Sequence, residues 1–199
     1  KHNLPLYKVV DSLLDGVKLA GRKFPIKVGL IVGIAPLWRE HKWPSPDEIF
    51  EVTSSYRDTT IVGIGLCSER KAECVKAAVE DLGADRLGHG INVVQDRKIL
   101  SLVLERRIPL EICLTSNVMS GVVSNVLEHP FKRLYDMGAN VTLNTDDPSL
   151  CQITLTSEYM LAMNAFQLDL ADIKKIILNG ISASFLPHQE KEKLTKSFA

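Results

Sequence analysis

The chain has 199 residues, 45% of them hydrophobic and 24% charged, with 24 Lys plus Arg against 24 Asp plus Glu. A chain of this length and mixture can bury a sizeable core, which excludes disordered and fibrous classes. The even charge balance lacks the basic footprint of a nucleic-acid binder, so a small neutral ligand is the easier partner.

In chain order, apolar residues recur at helical spacing from Leu4 to Phe24 (Leu6, Val9, Val10, Leu13, Leu14, Val17, Leu19, Ala20), predicting a helix with one buried face. "IKVGLIVGI", Ile26 to Ile34, is a nearly continuous β-branched run of the kind buried on both sides of a parallel sheet. "SPDEIFEVTSSY" follows, with Ser45 as N-cap and Pro46 at the first helical position. The alternation then repeats. "TIVGIGL" (Thr60 to Leu66) reads as a strand, Arg70 to Gly83 as a helix ended by its glycine, and "RLGHG" (Arg86 to Gly90) as a short strand. "DRKILSLVLERR" is a helix capped by Asp96, "IPLEICL" a strand, "HPFKRLYDMG" a helix and "ANVTLNT" a strand. Three helices close the chain: Ser157 to Phe166, Leu170 to Asn179 capped by Asp169, and one from about Pro187. Strands alternating with helices at this spacing predict parallel βα units within a single domain over residues 1–199.

Cys67, Cys74, Cys113 and Cys151 show no C-x-x-C spacing, as expected of reduced thiols in a cytoplasmic protein and not of a disulfide framework. No run of 18 apolar residues and no signal-peptide pattern occur, so no membrane partner is expected. The chain opens on Lys1 without an initiator Met, as a piece of something longer would.

In parallel α/β folds the ligand site lies at the carboxyl ends of the strands. Here those ends deliver Cys67, Ser68 and Glu69 after "IVGIGL", His89 within "RLGHG", Thr115, Ser116 and Asn117 after "PLEICL", and Asp146 with Asp147 after "NVTLNT". The glycines around His89 permit close approach and unusual backbone angles. Asp146, Asp147 and Pro148 are ordinary turn formers, but adjacent carboxylates repel unless one meets a divalent metal and the other shares a proton with a ligand. A zinc hydrolase would use Asp146 or Asp147 as ligand and His89 to hold or deprotonate the attacking water. His129, before Pro130, reads as the neighbour of a helix N-cap, and His2, His41 and His188 sit in polar stretches without a role.

"RLGHGINVVQD", "PLEICLTSN", "HPFKRLYDMGANVTLNTDDPSL" and "NGISASFLPHQEKEKL", in this order, resemble the carboxyl-terminal half of the adenosine deaminases, zinc-dependent (β/α)8 barrels of the metal-dependent hydrolase superfamily. The resemblance covers about Thr60 to the end. It implies a purine nucleoside as substrate, with adenosine (and 2′-deoxyadenosine) hydrolysed to inosine (or 2′-deoxyinosine) plus ammonia. It implies Asp146 as a ligand to one Zn2+, Asp147 as hydrogen-bonded to purine N7, and His89 as the residue that orients and stabilises the zinc-bound hydroxide. Gly65 and Ser68 match the strand end that contacts the purine, with Ser68 standing where the family commonly has glycine.

Two family motifs have no match: the amino-terminal H-x-H strand, and the H-A-G-E strand that would lie after Glu69, where the sequence passes straight into Arg70. The expected architecture is therefore a partial barrel lacking its first strands and an internal strand after Glu69. "GHG" and "NTDDP" look like the adenosine enzymes; adenine deaminase is the nearest alternative, and a truncated, inactive paralogue that binds nucleoside or a protein partner is another. Zinc deaminases of nucleic-acid bases need H-x-E together with P-C-x-x-C, and no P-C-x-x-C occurs to accompany the H-x-E of His188 to Glu190. No G-x-G-x-x-G or phosphate-binding loop follows any strand.

Overall fold

The computed structural model describes residues 4–34, 51–52, 54–56, 61–66, 72–80 and 83–198. The chain divides into two compact units, Lys1–Glu69 and Arg70–Ala199. Among the described residues, no helix is long and apolar enough to cross a membrane.

In the first unit, helix α1 spans Leu6–Lys23. It starts after Pro5, whose fixed φ suits a helix entry, and ends with the Phe24 N–H returning to Ala20 O. Val10 and Leu14 are buried, whereas Val9, Leu13 and Leu19 are exposed, so only part of the expected apolar face is covered. Tyr56 Oη donates to Asp11 Oδ1 at 2.7 Å, tying Tyr56 to this helix. The helix expected from Ser45 and Pro46 begins outside the described residues; 51–52 and 54–55 are helical.

Strand β1 covers Leu30–Ile34 and β2 covers Ile61–Leu66; they pair in parallel, with the register slipping between Leu30 and Ile31. β1 starts four residues later than its sequence suggests. Gly29 lies so close to Val62 that a Cβ there would stand 2.7 Å from a Val62 methyl group.

The second unit carries the larger core. Helix α2 (Ala72–Glu80) is followed by Gly83 at φ +61°, and the Ala84 N–H bonds back to Ala78 O at 2.8 Å, the left-handed glycine stop expected there. Strand β3 (Leu87–Gly88) leads through a 3-10 turn (Ile91–Gln95) into α3 (Arg97–Glu105). Asp96 caps α3 as expected, its Oδ1 accepting the N–H groups of Lys98 and Ile99.

Strand β4 (Leu110–Ile112) stops sooner than "IPLEICL" predicts, because α4 (Leu114–Met119) begins immediately after Cys113. The Thr115, Ser116 and Asn117 expected in a loop are thus fixed on a helix. A second 3-10 turn (Val126–Glu128) leads to α5 (Phe131–Asp136), then β5 (Val141–Leu143), the short α6 (Pro148–Cys151), α7 (Leu155–Phe166), α8 (Leu170–Ala183) and α9 (His188–Phe198). Capping boxes open α7, with Thr154 and Ser157, and α8, with Asp169 and Asp172. α8 runs four residues beyond Asn179, its expected end.

The sheet order is β3-β4-β5, all parallel, with Gly88 level with Glu111 and Glu111 level with Thr142. Leu87, Leu110, Ile112, Val141 and Leu143 enter the core. Arg86 binds β3 to its surroundings: its Nε meets Glu111 Oε1 at 3.2 Å, its Nη1 donates to Ala183 O, and its guanidinium lies over the Phe185 ring. On the other edge Asn179 Nδ2 donates to Val141 O at 3.0 Å.

Among the described residues Phe131 is the largest wholly buried side chain, with its ring 5.0 Å from that of Phe166. Phe131→Ala removes that contact and leaves a cavity between α5 and α7. It is expected to lower the unfolding free energy by about 3–5 kcal/mol. Urea unfolding followed by circular dichroism checks this, and a loss below about 1 kcal/mol would show that the site collapses freely.

Candidate active site

The level register of the second sheet delivers three chain segments to one end. The His89 N–H bonds to Glu111 O at 3.0 Å, so His89 continues the β3–β4 ladder by one residue before the chain turns. The turn is sharp. His89 has φ +56° and Gly90 φ +64°, and a Cβ on Gly90 would stand 2.8 Å from Leu110 Cδ2, so only glycine fits there. Around Gly88 a Cβ would meet nothing closer than 3.9 Å, so close approach does not require this first glycine.

Asp146, 57 positions from His89 in the chain but adjacent in space, is also left-handed, at φ +58°. His and Asp enter this region more readily than branched residues, yet each costs about 1 kcal/mol. These two residues face one another: His89 Nε2 lies 3.6 Å from Asp146 Oδ2, with side chains 40% and 37% exposed. Ser116 Oγ donates to the same Oδ2 at 2.7 Å and orients the carboxylate.

Asp147 occupies the N-cap position of α6 with Pro148 after it, as a turn former would. Its backbone carbonyl accepts the Cys151 N–H, but its exposed carboxylate makes no capping hydrogen bond to the helix. Gly65 lies in β2, in the other unit, level with Gly33; Ser68 lies outside the described residues.

Behind the exposed pair is a buried polar row that sequence reasoning passed over. Asn117 Nδ2 lies 3.1 Å from His89 Nδ1, and Asn117 Oδ1 lies 3.1 Å from His129 Nε2. His129 Nδ1 accepts the Phe131 N–H at 3.0 Å. His129 is therefore the helix-start neighbour its position before Pro130 suggests, and it also reaches the site. Glu158, 1% exposed, accepts hydrogen bonds from the Thr115 N–H and hydroxyl and so anchors the first turn of α4. Its sequence signal is a charged residue in helical step with Ala162 and Phe166, both buried.

The local field is negative. Burial, followed by Asp146, Glu111 and Glu158, pushes the Cys113 thiol well above its ordinary range, as fits an unreactive core thiol. An apolar groove of about 550 Å³ beside β5, lined by Leu143, Leu155, Tyr159, Ile177, Leu194 and Phe198 among others, includes neither His89 nor Asp146.

His89 and Asp146 supply one imidazole and one carboxylate, short of the four donors of a zinc site that holds its metal firmly. Among the described residues no group of three His, Cys, Asp or Glu could hold a metal ion. The described residues therefore do not by themselves fit a catalytic zinc.

Burial, then the nearby His89, lowers the His129 pKa to about 4 from the ordinary 6.5. Above pH 6.5 the ring is neutral in folded and unfolded chains alike, and the full stability is present. As pH falls from 6.5 toward 4 the unfolded chain gains a proton that the folded chain refuses. About 3 kcal/mol of stability is thus lost across that window. In His129→Gln this component should be absent, so the difference in unfolding free energy between the two proteins should shrink as pH falls through the window. An unchanged difference would show that His129 titrates normally.

The adenosine deaminase family model matches residues 69–199. An adenosine deaminase of Clostridium acetobutylicum is 42% identical over 125 residues, which cover 63% of this chain and 37% of that protein. One from Aliivibrio fischeri is 32% identical over 226 residues, covering 100% of this chain and 68% of that protein. An alignment of 226 positions against 199 residues leaves 27 positions of the relative facing gaps in this chain. Among solved structures, an adenine deaminase from Arthrobacter aurescens superposes with a TM-score of 0.80 at 20% identity, over 92% of this chain and 64% of that one. A Burkholderia ambifaria amidohydrolase with bound Zn gives 0.82 at 22% identity, over 98% and 62%. The fold is thus the α/β fold of the (β/α)8 barrel, represented in part. On a family match from residue 69 onward and a 32% identical relative aligned along the whole chain, this protein belongs to the adenosine deaminase family.

Proposed function

We propose that this chain carries the purine-facing part of a hydrolytic deaminase that converts adenosine to inosine, and 2′-deoxyadenosine to 2′-deoxyinosine, with release of ammonia. One observation carries the reading: His89 Nε2 and Asp146 Oδ2 face each other at 3.6 Å, at the carboxyl ends of parallel strands. The relatives named adenosine deaminase support it.

In this reading water adds to purine C6, a ring nitrogen takes a proton, and the amino group leaves as ammonia. His89 holds the attacking oxygen, and Asp146, steadied by Ser116, lies on its other side. Asp147, next in the chain and not committed to its helix, shares one proton with purine N7 and so fixes the ring. For Gly65 and Ser68 the family resemblance alone implies a weak purine contact. Asp146 is one oxygen donor to a Zn2+ ion whose other ligands are not among the described residues. The same reading makes the protein cytoplasmic, with a purine nucleoside and neither nucleic acid nor membrane as its partner.

Steady-state deamination of adenosine and adenine, with zinc measured on the same samples, tests this. Adenosine is expected to turn over and free adenine to be poor, because only the nucleoside fills a ribose pocket. Asp147→Ala should lower kcat/KM by roughly 100-fold with zinc retained, on the scale of losing one placed polar group. Asp146→Ala should lose both zinc and activity. Unaltered kcat and KM in Asp147→Ala would remove the substrate role, and full zinc in Asp146→Ala would overturn the ligand assignment. Nucleoside binding without any turnover or zinc would favour the inactive, ligand-binding alternative.

A further inference from the structure

The buried row behind His89 has a direction, and one backbone group sets it. The Phe131 N–H can only donate, and it points at His129 Nδ1 from 3.0 Å. That nitrogen must present its lone pair, so neutral His129 carries its proton on Nε2 and donates to Asn117 Oδ1 at 3.1 Å. The amide is thereby oriented, and its Nδ2 donates to His89 Nδ1 at 3.1 Å. The remaining ring proton of His89 then sits on Nε2, the side facing Asp146.

We propose that Asn117 and His129 are positioning residues that hold His89 as its Nε2–H tautomer, with Nδ1 kept occupied as an acceptor.

The alternatives fail in turn. Rotating the Asn117 amide by half a turn sets its N–H groups against the His129 Nε2–H. Moving the His129 proton to Nδ1 relieves that clash only by setting it against the Phe131 N–H. Each arrangement leaves two donors head to head where Asn117 is 2% and His129 4% exposed, away from the bulk solvent that would soften the loss. Nor can Asn117 move away. Its N–H bonds to Cys113 O at 2.9 Å, and its carbonyl accepts the Val122 and Val123 N–H groups at 3.0 and 3.1 Å. Burial disfavours the imidazolium of His129, which keeps the row in its neutral, one-way form.

The consequence for chemistry rests on the deaminase reading above. A neutral His89 so held has no free lone pair, and it offers an N–H to an oxygen on the Asp146 side. It grips the attacking oxygen as a donor.

Nitrogen NMR of the full chain labelled with 15N-histidine tests this independently of activity. At a pH where the rings are neutral, His89 and His129, assigned by loss of their signals in His89→Gln and His129→Gln, should each show a pyridine-type Nδ1 and a pyrrole-type Nε2. A His89 carrying its proton on Nδ1, or averaging between both nitrogens, overturns the proposal. In Asn117→Asp a carboxylate accepts at both ends, so His89 should switch to Nδ1–H while His129 stays as it was. A His89 unchanged in that variant also overturns it. Where Asn117→Asp does not fold, the wild-type spectrum decides alone. In the deaminase assay Asn117→Asp should lower kcat by roughly 10- to 100-fold with KM within about twofold, the pattern of a misdirected group at an intact binding site. The expected tautomers in a chain without turnover would reject the deaminase reading and leave this one standing. Turnover with the opposite tautomer would do the reverse.

Discussion

The register of β3, β4 and β5 is the constraint on which the site depends. Gly88, Glu111 and Thr142 lie level, so the residues that follow leave the sheet at the same height. Because side chains alternate along a strand, a slip of one residue would exchange the faces of Leu110, Ile112, Val141 and Leu143 and empty the core. The apolar residues therefore lock the register, and the register locks the distance between His89 and Asp146. Packing below the sheet and chemistry at its end are one constraint.

At that end the backbone departs from what either strand would adopt unaided. His89 and Asp146 both take left-handed angles, and they are the two residues whose side chains meet. Strain of this kind persists where surrounding contacts over-determine it. Here the His89 N–H is held by Glu111 O, Gly90 is fitted against Leu110, and Ser116 fixes the Asp146 carboxylate. The left-handed turns aim the imidazole and the carboxylate at each other instead of along diverging strands.

Much of this was legible in the sequence, and what was not has a physical cause. Local signals served well: the Asp96 and Asp169 caps, the Gly83 stop and the βα alternation each depend on neighbours within a few residues. "GHG" signalled an unusual turn at His89, though the space around the two glycines shows only Gly90 to be required. α4 was missed because "LTSNVM" has too few apolar residues for a helical period. Its helix is stabilised from outside, by Glu158 of α7, 43 positions away in the chain. The role of His129 was equally hidden, since a histidine before proline is a common helix entry. Its contact with Asn117 exists only once the chain between them has folded.

The buried row also explains why the exposed pair can be reliable. Burying Asn117 and His129 is costly in itself, and a core built for stability alone would place apolar residues there. The cost is offset because each polar atom in the row has a partner: Nδ1 of His129 has the Phe131 N–H, its Nε2 and both ends of the Asn117 amide have each other and His89. A fully satisfied network in a dry interior is stiff, for any rotation breaks bonds that no water can replace. His89 is 40% exposed and would otherwise sample several orientations. Tied at Nδ1 to a rigid interior, it leaves only Nε2 for the solvent side. Order is thus transferred from the core, where it is maintained by packing around Phe131, to the surface, where a ligand would need it.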